Sequence, residues 1–111
     1  MSEFTRIQGV NGAAVISKDG FVIDAVIPGG EEIDPDALAA MIITVYGASE
    51  RVGSELKLGN LDMVMLEFAN NYVLLEDLGD AVFTVIADKR AYLGRIRYEM
   101  KKQKERIKAA L

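Results

Sequence analysis

The chain contains no cysteine and no histidine. Disulfides, thiolate nucleophiles and cysteine-based metal sites are therefore excluded, and Ser-His-Asp or Cys-His catalytic groups cannot be assembled. No cationic-then-apolar N-terminus and no apolar run of about 18 residues is present, so neither a signal peptide nor a membrane span is expected. Internal repeats, linkers, low-complexity tracts and GxGxxG or P-loop patterns are also missing. These absences together predict a soluble cytoplasmic protein without catalytic machinery, cofactor or metal.

What is present is largely apolar. Half of the 111 residues are hydrophobic, at the high end of ordinary usage. The length predicts a single domain over residues 1–111, with one modest core holding roughly two thirds of the unfolded surface. A small monomer cannot easily hide that much apolar surface, which points to an oligomer. The net charge of −4 conceals an asymmetry: residues 1–87 carry 4 basic and 14 acidic side chains, residues 88–111 carry 9 basic and 3 acidic. The basic tail is read as a solvated helix whose Lys101, Lys102, Lys104, Arg106 and Lys108 complement the negative end of the helix dipole. Leu93, Ile96, Met100 and Ile107 would then face the core, and no binding to nucleic acid and no membrane insertion are expected.

The stretch Ala13–Ile27 holds two apolar runs around Lys18-Asp19-Gly20. Asp-Gly between β-branched runs is a strong hairpin signal, giving strand 1 at 13–17 and strand 2 at 21–27. Pro28-Gly29-Gly30 breaks the run. Asp34-Pro35 starts a helix, with Asp34 as N-cap, Pro35 at the first helical position, and Glu31, Glu32 and Asp36 beside the positive helix end. That helix should reach about Leu58, where Gly59-Asn60 stops it. Three strands follow, at 61–68, 72–78 and 81–87, and Asp88 would cap a final helix. The strands are apolar on both faces: Leu61, Met63 and Met65 oppose Val64, Leu66 and Phe68, and Phe83 and Val85 oppose Val82 and Ile86. A sheet wet on one side would alternate cleanly. Helices should therefore cover both faces, giving an α/β fold, a three-layer α/β/α sandwich around an antiparallel sheet.

Candidate chemistry is thin. Ser17 and Lys18 are adjacent on a strand and point to opposite faces, which spoils a Ser-Lys dyad. Glu31, Glu32, Asp34 and Asp36 do not match the Asp-x-Asp-x-Asp-Gly calcium pattern and are better explained by helix-end electrostatics. Gly29-Gly30 before a helix suggests a phosphate cradle, but the flanking acids would repel phosphate. Function is therefore expected in surfaces.

On the central helix, Leu38, Met41, Ile42, Val45, Val52 and Leu56 form a stripe about 100° wide that is expected to face the sheet. Ala40, Gly47 and Ser54 recur every seven residues on the far side, with Ile43 and Tyr46 around them. Glycine costs about 1 kcal/mol against alanine inside a helix, so Gly47 is better explained by a close helix–helix seam than by chance. Arg51 lies beside that seam; a partner salt bridge or solvent suits it better than an arginine-finger role.

Gly9-Val10-x-Gly12, an apolar strand, Ser17-Lys18-Asp19-Gly20, a second strand and a long central helix resemble the Roadblock (dynein light-chain) family. Ala87-Asp88-Lys89-x-Ala91-x-Leu93-Gly94 entering the last helix resembles its prokaryotic members. The resemblance implies a Roadblock/profilin-like, five-stranded antiparallel sheet in order 2-1-5-4-3, homodimers or heterodimers, and partners among small Ras-like GTPases or motor complexes. Only Met1–Gln8 precede Gly9, room for about two helical turns where many members have a longer helix. In that strand order the edges are strands 2 and 3. Asp24 and Pro28 blunt strand 2, whereas Met63–Leu66 is uncharged and open for pairing. The interface expected from these readings comprises Ala40, Ile43, Tyr46, Gly47, Arg51, Ser54, Met63 and Met65, in a homodimeric, non-enzymatic module that binds and regulates or places a small Ras-like GTPase. Two other classes fit the same sequence: a small-molecule sensor, recognisable by an internal cavity with converging polar groups, and a structural subunit of a motor or scaffold.

Overall fold

Five strands and two long helices make up the described part of the chain. The computed structural model describes residues 2–27 and 34–111. The expected roles of Pro28-Gly29-Gly30, Glu31 and Glu32 lie outside the described residues. A short 3-10 helix (Ser2–Arg6) leads into β1 (Val10–Ser17) and β2 (Val22–Val26), then α1 (Pro35–Glu55), β3 (Met63–Glu67), β4 (Asn71–Asp77), β5 (Ala81–Asp88) and α2 (Leu93–Ala109). The strands form one sheet in order β2-β1-β5-β4-β3, and every neighbouring pair is antiparallel. β2 and β3 are the edges.

Local chemistry accounts for most element ends. Gly20 supplies the positive φ of +95° at the β1–β2 turn, which is closed by Ser17 N–H on Phe21 C=O at 2.7 Å and Gly20 N–H on Ser17 C=O at 2.8 Å. Asp34 caps α1 as expected, its carboxylate accepting the Asp36 N–H at 3.0 Å, with Pro35 in the first turn. The other end differs from the sequence reading. α1 stops at Glu55 rather than Leu58, because Lys57 takes a left-handed φ of 55° and Leu58 N–H bonds back to Gly53 C=O at 2.8 Å.

Asp88 is not the cap of α2. It ends β5, and a turn with Ala91 N–H on Asp88 C=O at 3.1 Å precedes the helix, which begins at Leu93 after Tyr92 with no side-chain cap. The Asp88 carboxylate instead gathers the end of the sheet. It accepts from Asn11 Nδ2 at 2.9 Å and from Arg90 N, Nε and a terminal guanidinium nitrogen at 2.9, 3.1 and 2.9 Å, and Asn71 Nδ2 donates to Asn11 Oδ1 at 3.0 Å. Asn11 can reach both because β1 shifts register against β5 between Val10 and Gly12. Those donors, led by the Arg90 side chain, hold the Asp88 carboxyl far below the ordinary carboxylate range.

The sheet separates two cores where the sequence suggested one. On one side, Val10, Ala13, Val15, Leu74, Phe83, Val85 and Ala87 pack under Phe4 of the 3-10 helix and Ile96, Met100 and Ile107 of α2. Phe4 and Phe83 meet edge to face, with ring centroids 4.9 Å apart. On the other side, Ala14, Ile16, Leu75 and Val82 pack under Ala39, Ile42 and Tyr46 of α1. The α2 underside is the expected one, with Leu93 half-buried against that core. Met63 and Val64 of β3 go to opposite cores as expected, but Leu61 precedes the strand and joins the α1 side with Val64.

Candidate interaction surface

α1 is rotated relative to the sequence reading. Ala39, Ile42 and Tyr46 face the sheet, spaced by three and four residues, with Ile43 half-buried beside them. Tyr46, expected on the outer face, is only 1 % exposed. It shares a core with Ile16, Leu75 and Val82, and the Lys18 ammonium lies 5.2 Å from its ring centroid. The reason is area. A tyrosine ring over small sheet residues such as Ala14 buries more apolar surface than an aliphatic at the same place. Burial, with the nearby Asp77 and Glu50 carboxylates, pushes the Tyr46 phenol well above its ordinary pKa. Ile43 and Tyr46 thus support the fold from inside and do not present an outer seam.

The turn that buries Tyr46 leaves only part of the aliphatic stripe outside: Ile42 faces the sheet as expected, and Leu38 and Val45 pack against that core. Met41, Val52 and Leu56, expected under the helix, are each more than half exposed, and Leu38 and Val45 are half-buried. At 100° per residue these five lie on the flank of α1 that carries Ser49. Ser49 and Gly53 share a groove of about 300 Å³ with Leu61 and Met63, so the exposed stripe looks towards the β3 edge. Ala40, Met41, Thr44 and Val45 line a further, almost wholly apolar groove of about 400 Å³.

β3 continues that surface. It pairs only with β4, so its outer side is unpaired within the chain. Met65 is exposed, as are Leu58 before the strand and Phe68 after it. Met63 is half-buried against the α2-side core. The remaining expected interface residues Ala40, Gly47, Arg51 and Ser54 are all exposed; Ala40, Gly47 and Ser54 share the flank opposite the aliphatic stripe, and Arg51 and Ser54 line a groove of about 660 Å³ with Asn60 and Leu61. A Cβ placed on Gly47 would meet nothing within 4 Å, and Arg51 pairs with Glu55 at 3.7 Å along its own helix.

Reactive groups are tied into structure. Ser17 Oγ accepts the Asp19 N–H at 3.1 Å, while Lys18 Nζ bonds Asp77 Oδ1 at 2.9 Å, so the two side chains serve separate partners. Among the described residues no cluster of His, Cys, Asp or Glu could hold a metal, and no helix is long and apolar enough to cross a membrane.

The model of the Roadblock/LC7 domain matches residues 1–87. The chain belongs to the Roadblock/LC7 family. Relatives of similar length include the uncharacterized proteins MJ1340 and MJ0714 of Methanocaldococcus jannaschii. They are 36 % and 37 % identical over 96 % of this chain and 92 % and 89 % of theirs. Among solved structures, a Roadblock/LC7 domain from Streptomyces avermitilis superposes with a TM-score of 0.86 at 21 % identity, over 99 % of this chain and 92 % of that one. MglB of Myxococcus xanthus superposes at 0.83 and 20 % identity, over 91 % and 76 %. The observed strand order and the two covering helices are those the Roadblock resemblance implied.

Two features of this Roadblock domain escaped the sequence reading. One is the α1 flank of Met41, Val45, Val52 and Leu56, which was recognised as a stripe but turned inward. The other is Glu76, a buried carboxylate on β4. A signal for it existed: Glu76 and Asp77 are consecutive in a strand covered on both faces, and period two sends one of them to each layer.

Proposed function

We propose that this Roadblock domain is a non-catalytic interaction module that pairs with a second copy of itself and, as a pair, binds a small Ras-like GTPase whose activity or placement it controls. The observation that carries the pairing is the continuity of two unpartnered features: the exposed aliphatic flank of α1 and the adjoining open edge of β3. A two-fold axis beside β3 lets the same strip serve both copies, with strand pairing at the edge and helix packing along Met41, Val45 and Val52. In this arrangement Met65 belongs to the seam, Arg51 and Ala40 to its rim, and Gly47 and Ser54 lie off it. A structure titled MglB with tetrameric arrangement, with a TM-score of 0.83, fits a fold that assembles through its surfaces. The GTPase is the partner that Roadblock resemblance implies.

Val52→Asp tests the seam. Fully burying a valine contributes about 1.5 kcal/mol. Losing that in both copies removes about 3 kcal/mol, or about a hundredfold in dimer affinity. Sedimentation at micromolar concentration should show a folded monomer, while Gly47→Leu stays paired. The reverse result, with Gly47→Leu monomeric and Val52→Asp dimeric, puts the seam on the other flank. For the partner, a regulator must bind two nucleotide states unequally. Titration of the native GTPase in GDP-loaded and GTP-loaded forms should give different affinities, and equal ones would remove the regulatory role.

A further inference from the structure

Glu76 is 0 % exposed, and Glu76 and Thr84 are the buried polar side chains among the described residues. Glu76 sits on β4 between Leu74 and Leu78, both members of the core beneath α2, with Met63 and Phe83 opposite it on the neighbouring strands. Neither carboxylate oxygen has a hydrogen-bond partner. A carboxylate stripped of both water and donors is far costlier than the neutral acid in the same place.

The charged surroundings do not offset this burial. From α2, Lys101 and Lys104 are near enough to favour the ionised form, but Lys101 is already paired with Asp62. From the segment before β3, Asp62 disfavours ionisation, as does Asp77 next along β4, whose own carboxylate is bound to Lys18. Met63 and Phe83 carry no charge. Burial dominates and raises the Glu76 pKa above the ordinary glutamate value.

We propose that Glu76 is a proton-operated latch beneath α2: as a neutral acid it lets the helix seat on the sheet, and its ionisation opens the helix layer. The mechanism is linkage. In the open state Glu76 meets water and loses its proton at the ordinary glutamate pKa, about 4.3. In the seated state it holds the proton to higher pH. Between those two values each added pH unit favours the open state by about tenfold. Opening frees the undersides of Ile96, Met100 and Ile107.

Two measurements on the full chain test this. Carbon-13 NMR of the glutamate carboxyls should show one group titrating above the others, absent in Glu76→Gln. Hydrogen exchange of the α2 amides, corrected for intrinsic rates, should give an opening constant that climbs about tenfold per pH unit above about pH 4.3 in the parent and stays flat in Glu76→Gln. Asp62→Asn, which removes a carboxylate that disfavours ionisation and frees Lys101, should end the climb at lower pH. Lys104→Met, which removes a cation favouring ionisation, should carry it to higher pH. A Glu76 carboxyl titrating with the others overturns the proposal even where Glu76→Gln fails to fold. An equal climb in Glu76→Gln overturns it as well.

Discussion

Replacing Tyr46 with alanine asks whether α1 faces the sheet as described. Tyr46 is 1 % exposed and belongs to the core formed with Ile16, Leu75 and Val82. Its phenolic oxygen is buried beside the Asp77 carboxylate, so truncation forfeits packing, leaves a cavity and removes that polar neighbour. Removing a large buried aromatic costs about 3–5 kcal/mol. Loss of the ring beneath the Lys18 ammonium adds about 0.5–1 kcal/mol at a partly exposed site. A total near 4 kcal/mol lowers the folded-to-unfolded ratio by about three powers of ten, a large part of the 5–15 kcal/mol typical of a domain. Urea unfolding followed by far-ultraviolet circular dichroism reads this directly. It should be run at two protein concentrations, because pairing adds a concentration-dependent share of stability. An outward tyrosine in a helix–helix seam would behave differently: Tyr46→Ala would leave unfolding within about 0.5 kcal/mol and weaken only self-association. That outcome would refute the rotation of α1.

Gly9→Ala should be severely destabilising. Gly9 has a φ of +88°, and an added Cβ would lie 2.5–2.7 Å from the backbone and Cβ of Ala91, so left-handed strain of about 1–2 kcal/mol joins an overpacking cost of about 1–3 kcal/mol; thermal unfolding by circular dichroism measures the sum. Asp88→Asn should flatten the acid side of the stability profile. The native Asp88 carboxyl titrates below its unfolded value, so its contribution is present above the ordinary aspartate range and is lost as pH falls through that range towards the native value; urea midpoints across the acid range read the difference.

The parts of the fold that sequence made legible are those where local chemistry admits one answer. Lys18-Asp19-Gly20 demands a turn, Asp34-Pro35 demands a helix start, and strands apolar on both faces demand a helix on each side. The strand order came from the resemblance, since local patterns do not rank edges. The facing of α1 was illegible for a physical reason. The helix has two overlapping apolar faces, the predicted stripe Leu38-Met41-Ile42-Val45-Val52-Leu56 and the face Ala39-Ile42-Ile43-Tyr46, which share Ile42, and periodicity alone weighs them almost equally. Counting aliphatic residues favoured the first, whereas the size of one tyrosine ring and the small residues on the sheet decided for the second. Asp88 misled in a similar way. An aspartate before a helical pattern reads as an N-cap, and only the partner Asn11, 77 positions away in sequence, reveals its role at the end of the sheet. The interaction surface was half legible: Met65 and the open β3 edge were anticipated, and the helix flank beside them was not.

The two cores on opposite sides of one sheet have an evolutionary consequence. They share strands but not side chains, because alternate residues of β1, β4 and β5 serve different layers. A substitution under α2 therefore adjusts one layer and leaves the packing under α1 in place, and the effects of well-separated changes add. Each side can drift under its own selection. The α1 layer and the β3 edge can be remodelled for a different companion while the α2 layer keeps the domain folded. A gene duplicate of such a domain has a short route to pairing with its sibling instead of itself.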